Sequence, residues 1–259
     1  LNIATPSGSI QRAKAVLDVL SEAPTGAKLS QVIAGTDFTK TTAHRTLQSL
    51  QSVQYVYQDP DTRRYFLGSA LSALSRQAAQ SHVAALSGRA MRRLADATQD
   101  TIFLSIPEGA ASICARVELG AFPIRTLTLT VGNYVPLGVG ATGQALFAAT
   151  PRSKRQAAVA ANGTWMQDYN YDANLAEKLV QDFETRGYAF NPSIPVSGMS
   201  AVAIPIRTDR DRLVAAIGIG AINERMTMER IEGELVPLLR AECAGLAQKF
   251  STLDAEGLL

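Results

Sequence analysis

The stretch Thr36–Leu50, T-D-F-T-K-T-T-A-H-R-T-L-Q-S-L, constrains the fold more than any other part of the chain. Ala43, Leu47 and Leu50 recur at helical spacing, so one stripe of a helix is apolar and must be buried. Thr39 stands before the first turn, where its hydroxyl can accept a hydrogen bond from a free backbone amide and start the helix. The other faces carry Lys40, Thr41, Thr42, His44 and Arg45, and no acidic residue occurs between Asp37 and Asp59. A short helix, buried on one side and basic and hydroxyl-rich near its N-terminal end, has the chemistry needed to enter a DNA major groove.

The flanking sequence supplies the partners such a helix needs. Ser9 is placed to cap a helix built on Ile10, Ala13, Val16, Leu17 and Leu20, with a break at Pro24–Gly26. Leu29, Val32, Ile33 and Ala34 predict a short second helix between Lys28 and Gly35, and Gly35–Phe38 predicts a tight turn. This is helix-turn-helix spacing. Val53–Tyr57 alternates as a strand does, Asp59-Pro60-Asp61-Thr62 has turn chemistry, and Arg64–Leu67 predicts a returning strand. The hairpin would form a wing with Arg63 and Arg64 at or near its tip, where basic side chains reach phosphate or the minor groove. Arginines also protect a solvated hairpin edge; directly after a helix-turn-helix, the DNA reading is favoured. Residues 1–8 read as an unstructured lead.

Charge agrees with this placement. The net charge of 259 residues is only +2, yet residues 1–80 carry eight basic against five acidic side chains and the remainder 17 against 18. The excess on the N-terminal part suits a polyanion partner. With 46% hydrophobic and 19% charged residues the chain has the composition of a soluble globular protein, and its length predicts two domains. No apolar run reaches about 18 residues and the start lacks a signal-peptide pattern, so a cytoplasmic protein without membrane contact is expected. Cys114 and Cys243 stand far apart without nearby histidines, which predicts two reduced thiols and no metal site.

Leu71, Leu74, Ala78 and Ala79 predict a helix leaving the first domain, Gln77–Ser81 a polar linker, and Val83, Leu86, Ala90 and Leu94 a second helical stripe. The domain reading is therefore residues 1–70, a linker helix over 71–85, and a second domain over 86–259. In that domain Thr101–Ile106, Ser112–Val117, Ile124–Val131, Ala201–Arg207 and Leu213–Gly220 read as strands, the last two joined by a turn at Thr208–Arg212. Pro136–Gly143 reads as a Gly-rich loop before a short helix, Gln144–Ala149. Residues 152–160 and 173–186 read as helices, the second ended by Gly187. Thr227–Phe250 closes the chain as a helix that Pro237 kinks or breaks. Strands and helices do not alternate strictly, so the expected class is α+β with an antiparallel sheet.

Gly138–Gly143 matches G-x-G-x-x-G, but the preceding predicted strand ends at Val131 and the helix after it is too short for a parallel βαβ unit. No nicotinamide or other cofactor is expected. His44 and His82 are the only histidines, and no Ser-His-Asp arrangement, G-x-S-x-G, H-E-x-x-H or Walker sequence occurs, which argues against an enzyme. A purely architectural DNA protein would leave the large second domain without a role.

S-I-Q-R-A-K-A-V-L-D-V-L (9–20), K-T-T-A-H-R-T-L-Q-S-L (40–50) and D-P-D-T-R-R-Y-F-L-G (59–68) resemble the winged-helix domain of IclR-type bacterial transcriptional regulators. V-P-L-G-V-G-A-T-G-Q-A-L-F-A (135–148), R-G-Y-A-F-N (186–191) and G-M-S-A-V-A-I-P-I (198–206) resemble that family's effector domain, in the family's order. The resemblance implies a GAF- or PAS-like second domain, a small acidic or aromatic metabolite as effector, double-stranded operator DNA as partner, and a homodimer or dimer of dimers. It places Lys40, Thr41, Thr42, His44 and Arg45 on DNA. Together with the first turn of the predicted helix it places Ala141, Thr142, Gly143, Asn191, Ala201, Gly218 and Gly220 at the effector. The family often has an acid, a cysteine and two hydroxyl residues where Asn191, Ala201, Gly218 and Gly220 stand. Those changes predict a larger or more apolar ligand than a small keto acid; the alternatives are glycines that only permit close strand packing, or a pocket that binds nothing.

Overall fold

The computed structural model describes residues 8–257, so the expected lead, apart from Gly8, lies outside the described residues. Helices α1 (Ser9–Ser21), α2 (Leu29–Thr36) and α3 (Lys40–Ser52) are followed by the hairpin β1 (Val56–Gln58) and β2 (Tyr65–Leu67). Val16, Leu20, Val32, Phe38, Ala43, Leu47 and Leu50 form their shared core, as the periodicity requires. Ser9 is the first helical residue rather than the cap. Gly8 occupies the cap position and donates its N–H to Gln11 Oε1 at 3.0 Å, so the reach-back comes from the third helical residue. Ile10 is 83% exposed, because the packed stripe of α1 is set by Val16 and Leu20. Asp37 ends α2 in the left-handed region at φ 55°, which turns the chain into α3. The strand expected from Val53 begins at Val56, since Val53 closes α3 and Gln54 turns at φ 59°.

Helix α4 (Ser69–Thr98) is 30 residues long, and the chain's two compact units divide within it, between Ala78 and Ala79. Gln77–Ser81 is helical and not a break: its Gln, Ala and Ser residues tolerate a helix, and no Gly or Pro interrupts them. From Val83 onward the helix buries Val83, Ala90, Met91 and Leu94 in the second unit's core.

That unit is built on six antiparallel strands in the order β5-β4-β3-β8-β7-β6, where β3 is Thr101–Glu108, β4 Ala111–Glu118, β5 Tyr134–Pro136, β6 Ala189–Pro192, β7 Met199–Arg207 and β8 Leu213–Ile222. Strand periodicity sorts its side chains into two cores. Ile102, Leu104, Val202, Ile204, Ile217 and Ile219 pack with α4 and the closing helix α9 (Val236–Ala255). Ala189, Ala203 and Ala216 pack with α5 (Gly140–Ala148), α6 (Arg152–Gln167) and α7 (Ala173–Arg186). Gly218 and Gly220 share that second face with Ala216 by register. Asp172 caps α7 by accepting from Leu175 N at 2.7 Å, and Gly187 ends it at φ 73°, as expected. The closing segment runs as α8 (Met228–Arg230), a π turn over Ile231–Leu235, then α9. Pro237 lacks the amide that an unbroken α ladder would use, and the wider π turn comes immediately before it.

Three further predictions change, one of them the helix read at 152–160, which runs on to Gln167. Ile124–Val131 is irregular: the outer edge of β4 is taken by β5, and Ile124, Leu127 and Val131 are 54%, 60% and 64% exposed with no strand beside them. Helix α5 starts at Gly140, so Gly140–Gly143, read as loop, are its first turn; Gly140 adopts φ 70°, which glycine takes without strain. Cys114 and Cys243 are free and buried, and burial pushes their thiols up to about 11 and about 12.

Candidate functional site

In the first unit α3 presents the expected surface. Thr39 caps it, accepting from Thr42 N at 3.3 Å, while the two threonine hydroxyls share a hydrogen bond at 2.9 Å. Thr42 is therefore half-buried, whereas Lys40, Thr41, His44 and Arg45 are exposed opposite the Ala43–Leu47–Leu50 stripe. At the wing Asp59 Oδ1 accepts from both Thr62 N and Thr62 Oγ1 at 2.7 Å, and these bonds hold its carboxyl below the usual value. They fix the turn that leaves Arg63 exposed at φ 58°. Arg64 turns the other way: its Nη1 donates to Gly26 O at 2.7 Å, beside the Ala27–Tyr65 bridge. Arg64 thus ties the wing to the loop after α1, and Arg63 is the wing's outward guanidinium.

The second unit holds a partly open cavity of about 70 Å³ between the small-residue face of the sheet and α5. Ala141, Thr142, Asn191, Ala201 and Gly218 line it as expected; Gly143 and Gly220 do not. Gly143 packs against Gly138 and the Ser112 hydroxyl. At Gly220 a Cβ would lie 3.0 Å from Phe103 Cε2, and at Gly218 it would lie 2.9 Å from Val202 O and 3.0 Å from Thr142 Cγ2. A side chain at either glycine would therefore crowd its neighbours, which supports the close-packing reading. Periodicity did not point to the remaining wall, which comes from Phe103, Thr126, Leu129, Val139, Tyr169, the Ile194–Val196 turn and Met199.

A buried tyrosine organises the polar side. Tyr171 Oη accepts from Gln144 Nε2 at 2.6 Å and from Gly140 N at 3.3 Å, and donates to Asn191 Oδ1 at 3.2 Å. Burial pushes its phenol up to about 12, against the lowering effect of those two donors, so it remains a neutral donor at physiological pH. Asn191 passes the chain on by donating from Nδ2 to Ile194 O. An acid at this position would set a carboxylate against that carbonyl, which accounts for the amide. Ser105 and Thr142 hydroxyls pair at 2.7 Å. Thr126 is only 3% exposed, and its Oγ1 has no hydrogen-bond partner among the described residues. No Asp, Glu, Lys, Arg or His lines the cavity.

The Gly138–Gly143 segment follows a strand after all, since β5 ends at Pro136. That strand is an antiparallel edge and α5 has nine residues, so the parallel βαβ setting of a dinucleotide site is absent here.

Comparison with known proteins matches the IclR helix-turn-helix domain to residues 9–60 and the bacterial transcriptional regulator IclR C-terminal domain to residues 76–248. The chain belongs to the IclR family. It is 30% identical to the probable transcriptional regulator SauR of Cupriavidus necator over 92% of this chain and 95% of that one. It is 28% identical to the glycerol operon regulatory protein of Streptomyces coelicolor, covering 94% of each. Its fold matches a crystal structure of an IclR-family regulator from Rhodococcus sp. with TM-score 0.68, at 22% identity and with 95% of this chain and 96% of that one covered. This IclR regulator is thus a transcriptional regulator with a DNA-binding winged unit and a C-terminal effector domain. Among the described residues no helix is long and apolar enough to cross a membrane.

Proposed function

We propose that this IclR regulator binds operator DNA as a homodimer through α3, and that a small organic acid in the cavity beside α5 changes its operator affinity. The observation that carries the DNA assignment is the exposure of Lys40, Thr41, His44 and Arg45 on a helix anchored by Ala43, Leu47 and Leu50. Thr42 supports the first turn from the side, and Arg63, with Arg64 behind it, reaches backbone or minor groove. Two winged units spaced by about one helical turn of DNA, or a multiple of it, read a palindrome-like site. The protein acts in the cytoplasm and has no catalytic role; neither of its histidines lines the cavity.

The cavity favours a small acid over an aromatic one on size. An apolar cavity that admits benzene measures about 150 Å³, twice the 70 Å³ of this partly open one. The first-turn amides of α5, at Ala141 and Thr142, suit a carboxylate. The walls suit a short aliphatic body. Effector binding alters DNA affinity only through different affinity for the DNA-competent and incompetent states.

Fluorescence anisotropy tests the DNA reading, with a duplex from upstream of the protein's own gene against a scrambled duplex at two salt concentrations. Tight, sequence-dependent and salt-sensitive binding is expected; equal affinity for both duplexes would count against α3 as a reading helix. A thermal-shift panel of propionate, pyruvate and benzoate tests the cavity, with stabilisation expected from the first two and its reversal decisive against a small acid.

A further inference from the structure

Four polar residues in the wall of the cavity beside α5 are buried: Thr126, Thr142, Asn191 and Ser200. Three of them have partners. Thr142 shares a hydrogen bond with Ser105 at 2.7 Å, Asn191 stands between Tyr171 and the Ile194 carbonyl, and Ser200 Oγ donates to Asn223 Oδ1 at 2.7 Å. Thr126 differs. It is 3% exposed, and its Oγ1 is sealed from solvent with no hydrogen-bond partner among the described residues.

Thr126 reaches the cavity from the irregular 119–133 segment, where its neighbours Arg125 and Leu127 are exposed. Its methyl packs toward Gly220, where a Cβ would lie 3.3 Å from Thr126 Cγ2, and Gly220 does not line the cavity. The hydroxyl is the branch left for the cavity. A buried hydroxyl without a partner is destabilising, and a valine would fill the same shape without that cost. A ligand that carries the missing partner accounts for the threonine. Thr142 stands over Gly218 as Thr126 stands over Gly220. Two residues of β8 separate those positions, about 6–7 Å, so Thr126 meets the ligand away from the end held at α5. No charged side chain lines the cavity, which suits an uncharged group there.

We infer that Thr126 is a specificity-determining residue of the cavity: its hydroxyl bonds an uncharged oxygen, hydroxyl or oxo, on a small acid whose carboxylate lies at α5. The inference rests on the small-acid reading of the cavity and adds the second group that its ligand carries. A plain alkanoate leaves the Thr126 hydroxyl unpaired, and an oxygen-bearing acid of the same chain length pairs it.

The test titrates full-length wild type, T126V and T126S with propionate, lactate and pyruvate, acids of equal chain length, by ligand-observed NMR. Wild type is expected to bind lactate, pyruvate or both about two- to tenfold more tightly than propionate; lactate would name a hydroxyl and pyruvate an oxo group. T126V should erase that preference by weakening the oxygen-bearing acids alone, and T126S should keep it. Without ligand, T126V should melt no lower than wild type. Wild type that binds propionate as tightly as the other two overturns the inference and leaves the small-acid reading standing. T126V that keeps the preference overturns it as well. So does T126V that weakens all three acids equally, because Thr126 would then touch the carboxylate. A lower melting temperature for ligand-free T126V also overturns it, because the hydroxyl would then have a structural partner. Wild type that binds none of the three acids removes the small-acid reading and the role of Thr126 with it.

Discussion

The two units carry their candidate function in opposite ways. In the winged unit the residues proposed to meet DNA are outside, and the buried residues hold them in place. In the effector unit the working surface is inside, and what matters is which side chains are missing from the β8 face. The first arrangement is written in a local run of 15 residues, Thr36–Leu50. The second exists only after β3, β6, β7, β8, α5 and the 119–133 segment have come together around one space.

Substitutions can break this contrast or sharpen it. The largest effect is expected from Leu47→Ala, which removes a fully buried anchor of α3. It should cost about 2–5 kcal/mol of stability in the winged unit, seen as an earlier unfolding transition and lost operator binding. If binding survived intact, the external face would not depend on its internal stripe. Next comes Arg45→Ala, expected to cost about 1–3 kcal/mol of specific binding. Arg207→Ala, at a residue that holds Asp211 and the Ala149 carbonyl, should leave DNA affinity unchanged. Equal losses from the two would remove α3 as the reading element.

In the effector unit Gly218→Ser restores a family-type hydroxyl where a Cβ would crowd Val202 O and Thr142. Overpacking of this kind costs about 1–3 kcal/mol; a variant as stable as wild type would show that α5 can move away from β8. An effect of similar size is expected from Tyr171→Phe, which loses three hydrogen bonds with a net contribution of about 1 kcal/mol each. Because burial raises the folded phenol to about 12 from its ordinary value of 10.0, its neutral form is favoured in the folded state. Its contribution is complete below pH 10 and is lost as pH rises from there toward 12. Denaturant titrations across that window should therefore fall less steeply for Tyr171→Phe than for wild type, and parallel curves would contradict the buried network.

Legibility in the sequence followed the same division. Capping by Thr39, the α3 stripe and the β7–β8 hairpin depend on neighbours within a few residues, and all three emerged in place. Ser9 was misread because any serine before a helix resembles a cap, while Gln11 decided the register. Ile124–Val131 has strand alternation, but a strand also needs an unoccupied edge, and β5 had taken the one beside β4. The departures at Gly218 and Gly220 were visible by resemblance; their meaning was not, because the space they leave is filled by Thr142 and by Phe103 with Thr126. Phe103, Thr126 and Met199 gave no local sign of sharing a wall.

The glycines of β8 also set the direction in which this pocket can evolve. A side chain cannot be trimmed below hydrogen, so β8 has no further room to give to a bulkier effector. Descendants or engineered sensors that respond to larger molecules must draw that room from Phe103, Leu129 or Met199, on the remaining walls. Two of these three positions, Phe103 and Leu129, lie outside the stretches that resemble the family's effector motifs.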